Sequence, residues 1–174
     1  MVPRAEQHSE LGTDIYHGGA LFARHASVDP GRFHQGMLDR ALAAGTQVIA
    51  HCRATGLRRE GVGFEVQTAR GQVIARNVII ATNGYTTDLT PWLQRRAIPI
   101  GSYIIATEEL PPETMMRLMP RQRIVSDTRK VVYYYRPSPD GKRILFGGRV
   151  SLKETDPRIS GPRLHDAMTG IFPE

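Results

Sequence analysis

The chain has one cysteine, Cys52, so no internal disulfide can hold it together. It contains no apolar run near the roughly 18 residues that a membrane-spanning helix needs. Its opening residues, Met1-Val2-Pro3-Arg4-Ala5-Glu6-Gln7-His8, have no apolar core of the kind a secretory leader carries. Together these absences predict a cytoplasmic, reducing setting and no membrane partner. Charge of one sign is also short: 17 acidic residues face 23 basic ones, for a net charge of +6. The basic residues are scattered, as in Arg58-Arg59, Arg95-Arg96 and Arg129-Lys130, and none interleaves with aromatics, so no nucleic-acid partner is expected. A solvated basic surface is the simpler reading, with steering of anionic ligands a second use for it. His25, His34, His51 and His165 stand at no metal-ligating spacing with Cys52 or with a carboxylate pair, so no metal is expected, and His17 beside Gly18-Gly19 reads as an ordinary partly exposed histidine, with the lining of a cleft as the alternative. There is no internal repeat and no low-complexity segment.

What is present fits one ordinary domain or two small lobes: 174 residues, 40% of them hydrophobic. The stretch Asn77-Val78-Ile79-Ile80-Ala81-Thr82-Asn83-Gly84 reads as a short strand buried on both faces that ends on small residues. In open α/β sheets such an end borders nucleotide ligands. A core strand followed by an Asn-Gly turn is the plainer reading of the same residues. Upstream, Asp29 and Pro30 open a helix over about 30–44, with Phe33, Met37, Leu38, Ala41 and Leu42 on one face and Gly45 as its stop. Thr46–His51 reads as the next strand, Gly56–Gly63 as a turn-rich passage, and 64–75 as a hairpin turning at Arg70-Gly71. Residues 1–14 read as loosely held, and residues 15–23 as a strand or hairpin kinked at Gly18-Gly19.

Past Gly84 the pattern becomes that of an antiparallel sheet with short helices. A long strand over 98–107, a helix over 111–118, strands over 123–126, 131–136 and 143–149, and a final helix over 160–172 are expected, with Pro137–Lys142 as a hairpin loop. Strand alternation puts Tyr134 and Arg136 on one face and Tyr133 and Tyr135 on the other. A Tyr/Arg face can hold a substrate carboxylate through the planar guanidinium fork; an aromatic sheet face with a surface arginine is the plain reading. Arg149, after Gly147-Gly148, is a weaker candidate of the same kind. The fold class is thus α/β (α+β).

Val28-Asp29-Pro30-Gly31-Arg32-Phe33, the helix ending Ala43-Ala44-Gly45, the strand Val78–Gly84, and Tyr134-Tyr135-Arg136 followed by Asp140–Arg149 together resemble the FAD-dependent D-amino-acid oxidase/glycine oxidase superfamily, most of all its gamma-glutamylputrescine oxidoreductase-like branch. The resemblance covers about residues 10–174 and rests on order and spacing. It implies a partial Rossmann-like FAD-binding domain over 1–90 and a substrate-binding antiparallel sheet domain over 91–174. It implies FAD as cofactor, Ala54 beside the adenine, and Ala81, Thr82, Asn83 and Gly84 along the dinucleotide. It implies a small-molecule amine or amino acid as substrate, with Tyr134, Arg136 and Arg149 on the substrate side. The family's strand–G-x-G-x-x-G–helix unit is absent, as is its C-terminal glycine-rich segment; Gly56–Gly63 has its glycines in the wrong order. The chain therefore reads as the central portion of a longer enzyme. The alternative is a non-catalytic module that keeps the fold without FAD. Either way, missing layers predict exposed apolar surface and self-association, and isolated chains without activity.

Overall fold

The computed structural model describes residues 1–149 and 156–173. Two compact units divide the chain: residues 31–100 form an inserted unit, and residues 1–30 with 101–174 form a split unit on either side of it in sequence. The first 30 residues group with the C-terminal sheet rather than with the segment that follows them.

The split unit is built on a four-stranded antiparallel sheet. Its strands are β6 (Tyr103–Ala106), β7 (Val125–Ser126), β8 (Tyr133–Pro137) and β9 (Ile144–Gly148), in the order β6-β9-β8-β7. β8 and β9 are joined through the expected turn, where Gly141 takes φ +73 and the Asp140 carboxylate accepts from the Lys142 N–H at 3.2 Å. One face of this sheet carries Tyr133, Tyr135, Ile144 and Phe146, and it is covered by helices α3 (Pro112–Leu118) and α4 (Pro157–Ile171). Tyr135, Phe146, Leu164 and Ile171 are fully buried there. Removing each such side chain from water contributes about 1.5–3 kcal/mol. Asp156 caps α4 by accepting from the Arg158 N–H at 2.8 Å.

The N-terminal segment is firmly attached to this unit, contrary to the loose attachment expected of it. Arg4–Ser9 is a 3-10 turn, and β1 (Val2–Pro3) pairs with β2 (Gly18–Gly19). The Gly12 N–H donates to the Leu118 carbonyl at 2.9 Å, and the Thr13 hydroxyl donates to the Ile171 carbonyl at 2.6 Å. Glu10 is ion-paired with Arg123, whose hydrogen bond holds the Glu10 carboxyl below its usual range. Gly12 has no room for a side chain, since a Cβ would lie 2.2 Å from the Arg117 carbonyl oxygen.

The inserted unit contains helix α1 (Pro30–Ala43), which starts in the split unit's last N-terminal residue, and the antiparallel sheet β3 (Ala54–Glu60), β4 (Gly63–Thr68) and β5 (Gly71–Ala75). A short helix, α2 (Pro91–Gln94), follows. The passage expected to be turn-rich, 56–63, is instead mostly strand β3, because cross-strand pairing with β4 overrides the glycines. The strands expected at 46–51 and 77–82 are not formed. Neither segment has a ladder partner among the described residues, and an extended segment becomes a strand only by hydrogen-bonding to a neighbour. The burial expected of Val78–Ala81 is also absent, with Ile79 89% exposed. Likewise β6 is shorter than the strand expected over 98–107.

Candidate functional site

The most organised surface that could serve chemistry is the face of the split unit's sheet that no helix covers among the described residues. Register places Tyr134 opposite Gly147, and Gly147 opposite Ile104; one pair along, Arg136 is opposite Leu145, and Leu145 opposite Ala106. Ile104 and Ala106 are exposed, while Tyr134, Arg136 and Leu145 are half-buried. Tyr134 and Arg136 therefore share one face, and Tyr133 and Tyr135 pack into the core opposite.

Tyr134 lies across Gly147: a Cβ on that glycine would stand 2.3 Å from a ring carbon. Its phenol oxygen is 2.7 Å from the Ser102 hydroxyl. The Arg136 guanidinium donates to the Val28 carbonyl at 2.8 Å. That contact edges a cleft of about 250 Å³ lined by Val28, Asp29, Gln122, Arg136, Ser138 and Pro139. Arg136 is thus partly engaged by its own chain, with further guanidinium donors remaining. Arg149 is exposed and stands one residue past β9, at the next register position beyond the Tyr103–Gly148 pair, where Ser102 stands on the other strand.

Behind this face, in the core, the Tyr135 hydroxyl donates to the Tyr16 hydroxyl at 3.1 Å. Burial pushes both phenols above their ordinary range, so each stays protonated and neutral. The Asp127 carboxylate accepts from the Tyr133 N–H at 2.9 Å and pairs with Arg129 at 3.3 Å, fixing the entry to β8. Among the described residues no three His, Cys, Asp or Glu side chains group as a metal site.

The positions with cofactor expectations all fall in the inserted unit. Ala54 is half-buried at the start of β3, opposite Thr68. Ala81 to Gly84 are exposed and enter a 3-10 turn at Asn83–Tyr85, with Asn83 at φ +48 and the Thr82 and Thr86 hydroxyls 2.8 Å apart. A Cβ on Gly84 would meet only Pro99, at 3.9 Å. These residues are small and leave the backbone open. The G-x-G-x-x-G motif that cradles the pyrophosphate of a dinucleotide does not occur in this sequence. A separate open cleft of about 680 Å³, lined by Val48, Ile49, His51, Cys52, Arg70 and Gln72 among others, includes none of the expected cofactor residues.

Sequence reasoning missed Ser102 and the role of Gly147. Their signal was a glycine directly cross-strand from a tyrosine, visible only once the hairpin register is set.

The α+β fold is consistent with what comparison with known proteins shows. A family model described as FAD dependent oxidoreductase matches residues 1–174, and the chain belongs to that family. Among curated relatives, a probable oxidoreductase OrdL of Rhizobium meliloti is 32% identical over 175 residues, covering 99% of this chain and 40% of the relative. The gamma-glutamylputrescine oxidoreductase of Escherichia coli is 32% identical over 180 residues, covering 94% of this chain and 42% of its own length. A second probable oxidoreductase OrdL, from Haemophilus influenzae, is 32% identical and is covered over 39% of its length. The chain thus spans about two fifths of the relatives it matches.

Proposed function

We propose that this chain forms the central portion of an FAD-dependent oxidoreductase that oxidises a C–N bond of an amine or amino acid. The observation that carries the reading is the uncovered sheet face, where Tyr134 and Arg136 stand side by side and can receive a substrate's anionic end. The name of the Escherichia coli relative, which specifies an amine-bearing compound, supports the same substrate class. When bound, FAD supplies the hydride acceptor. Tyr134 and Arg136 orient the substrate on the sheet face, with Arg149 at its margin. In the inserted unit Ala54 and Ala81, Thr82, Asn83 and Gly84 offer backbone groups and close approach to the dinucleotide.

Two measurements test this. The whole protein that carries this chain, purified from its own source, is examined for flavin absorption; a colourless whole protein that takes up no added FAD leaves the non-catalytic module as the reading. Flavin-loaded protein is then mixed without oxygen with amines, amino acids, and matched alcohols and 2-hydroxy acids. Bleaching of the flavin with release of ammonia from the amino compounds is expected. Bleaching by the hydroxy compounds alone overturns the substrate class.

A further inference from the structure

We infer that Ser102 is the positioning residue of Tyr134, holding the phenol flat over Gly147 so that its hydroxyl is preorganised to donate to a substrate carboxylate; this rests on the substrate-face reading above. The geometry carries it. Tyr134 is on β8 and Ser102 stands at the head of β6, and β9 lies between them. Two strand spacings amount to about 9–10 Å, farther than a tyrosine standing upright on the sheet can reach. The ring must therefore lie down across the middle strand. It crosses at Gly147, the one residue type without a Cβ to block it; a Cβ there would come within 2.3–2.8 Å of three atoms of the ring and hydroxyl. The phenol then meets the Ser102 oxygen at 2.7 Å, a full-strength O–H···O bond.

The polarity of that bond decides its use. If the Ser102 hydroxyl donates to the phenol oxygen, the phenol proton is free to point off the sheet. A phenol held this way loses no torsional freedom on binding, so its hydrogen bond to an anionic oxygen is strengthened. An unanchored ring would lift from the sheet and lose that orientation. Ser102 does not touch substrate in this arrangement and acts only through Tyr134.

The test uses the full chain, with acetate as the carboxylate probe. Binding is followed by NMR of ring-labelled tyrosines, alongside thermal unfolding. Ser102→Ala is expected to weaken acetate binding about tenfold, the scale of one charged hydrogen bond, with no change in the unfolding midpoint. Ser102→Thr, which keeps the hydroxyl, is expected to restore binding. In a Tyr134→Phe background, Ser102→Ala should have no further effect. Gly147→Ala should shift the Tyr134 ring signals to those of a solvent-averaged ring. If Tyr134→Phe weakens binding and Ser102→Ala does not, the positioning role falls and the substrate face stands. If Tyr134→Phe binds acetate as the unaltered protein does, or the unaltered protein binds none, the substrate face and the positioning role fall together.

Discussion

Only one of the two compact units has an apolar interior. In the split unit, Tyr135, Phe146, Leu164 and Ile171 are sealed between a sheet and two helices. In residues 31–100, no described apolar side chain is buried; the side chain most withdrawn from water is Glu65, at 3% exposure, ion-paired with Arg58. Both units have regular secondary structure, and both have apolar residues at the right periods. The difference is where the apolar residues go. On α1, Phe33, Met37 and Leu42 are about half exposed, and Val48, Ile49, Ile74 and Ile79 also face solvent. Ladder hydrogen bonds and charge pairs hold the shape of the inserted unit, while its large hydrophobic side chains stay open to solvent. Exposed apolar surface of this extent is what the self-association expected of the chain would act through.

The largest test of that contrast is core truncation. Phe146→Ala should destabilise the protein by about 3–5 kcal/mol in urea unfolding, whereas Phe33→Ala on α1 should cost less than about 1 kcal/mol. Comparable costs at the two positions would break the comparison. Next in size is association. We expect concentration-dependent self-association in sizing chromatography, reduced by Ile79→Glu, and a clean monomer at high concentration would show that the exposed surface needs no cover. A smaller effect concerns pH. The hydrogen bond from Arg58 holds the Glu65 carboxyl below its ordinary value of 4.5, against the opposing effect of desolvation. The pair's contribution is therefore complete above that value and is lost as pH falls through the lowered one. Glu65→Gln should flatten the acid-side loss of strand protection in the inserted unit, read by hydrogen exchange. The smallest expected signal is none at all: the chain alone, incubated with FAD and desalted, should retain no flavin, because nothing in its sequence cradles the pyrophosphate. Retained flavin would mean that the inserted unit is better formed than its open surface implies.

Local chemistry made much of the fold readable. Asp29, Pro30 and Gly45 framed α1 to within a residue or two, and Pro137–Gly141 set the β8–β9 turn and with it the face shared by Tyr134 and Arg136. The apolar runs at 46–51 and 77–82 suggest strands and form none, for a physical reason. Apolarity reports that a segment is meant to be covered, whereas a strand needs a hydrogen-bonding neighbour, and none is present among the described residues. The candidate site was legible as a pair of side chains and not as a clamp. Ser102 lies 32 residues from Tyr134, and only the β6-β9-β8 order brings them together.

The hydrogen bond from Thr13 to the Ile171 carbonyl joins residues 158 apart in the chain. On a ribosome adding about 5–20 residues per second, that separation is a wait on the order of 10–30 s. Through that interval the amino-terminal segment has emerged without the α4 helix it must hold. The inserted unit, with its local hairpins, can form first. Synthesis therefore delivers the whole of the inserted unit before the split unit's core has all of its parts.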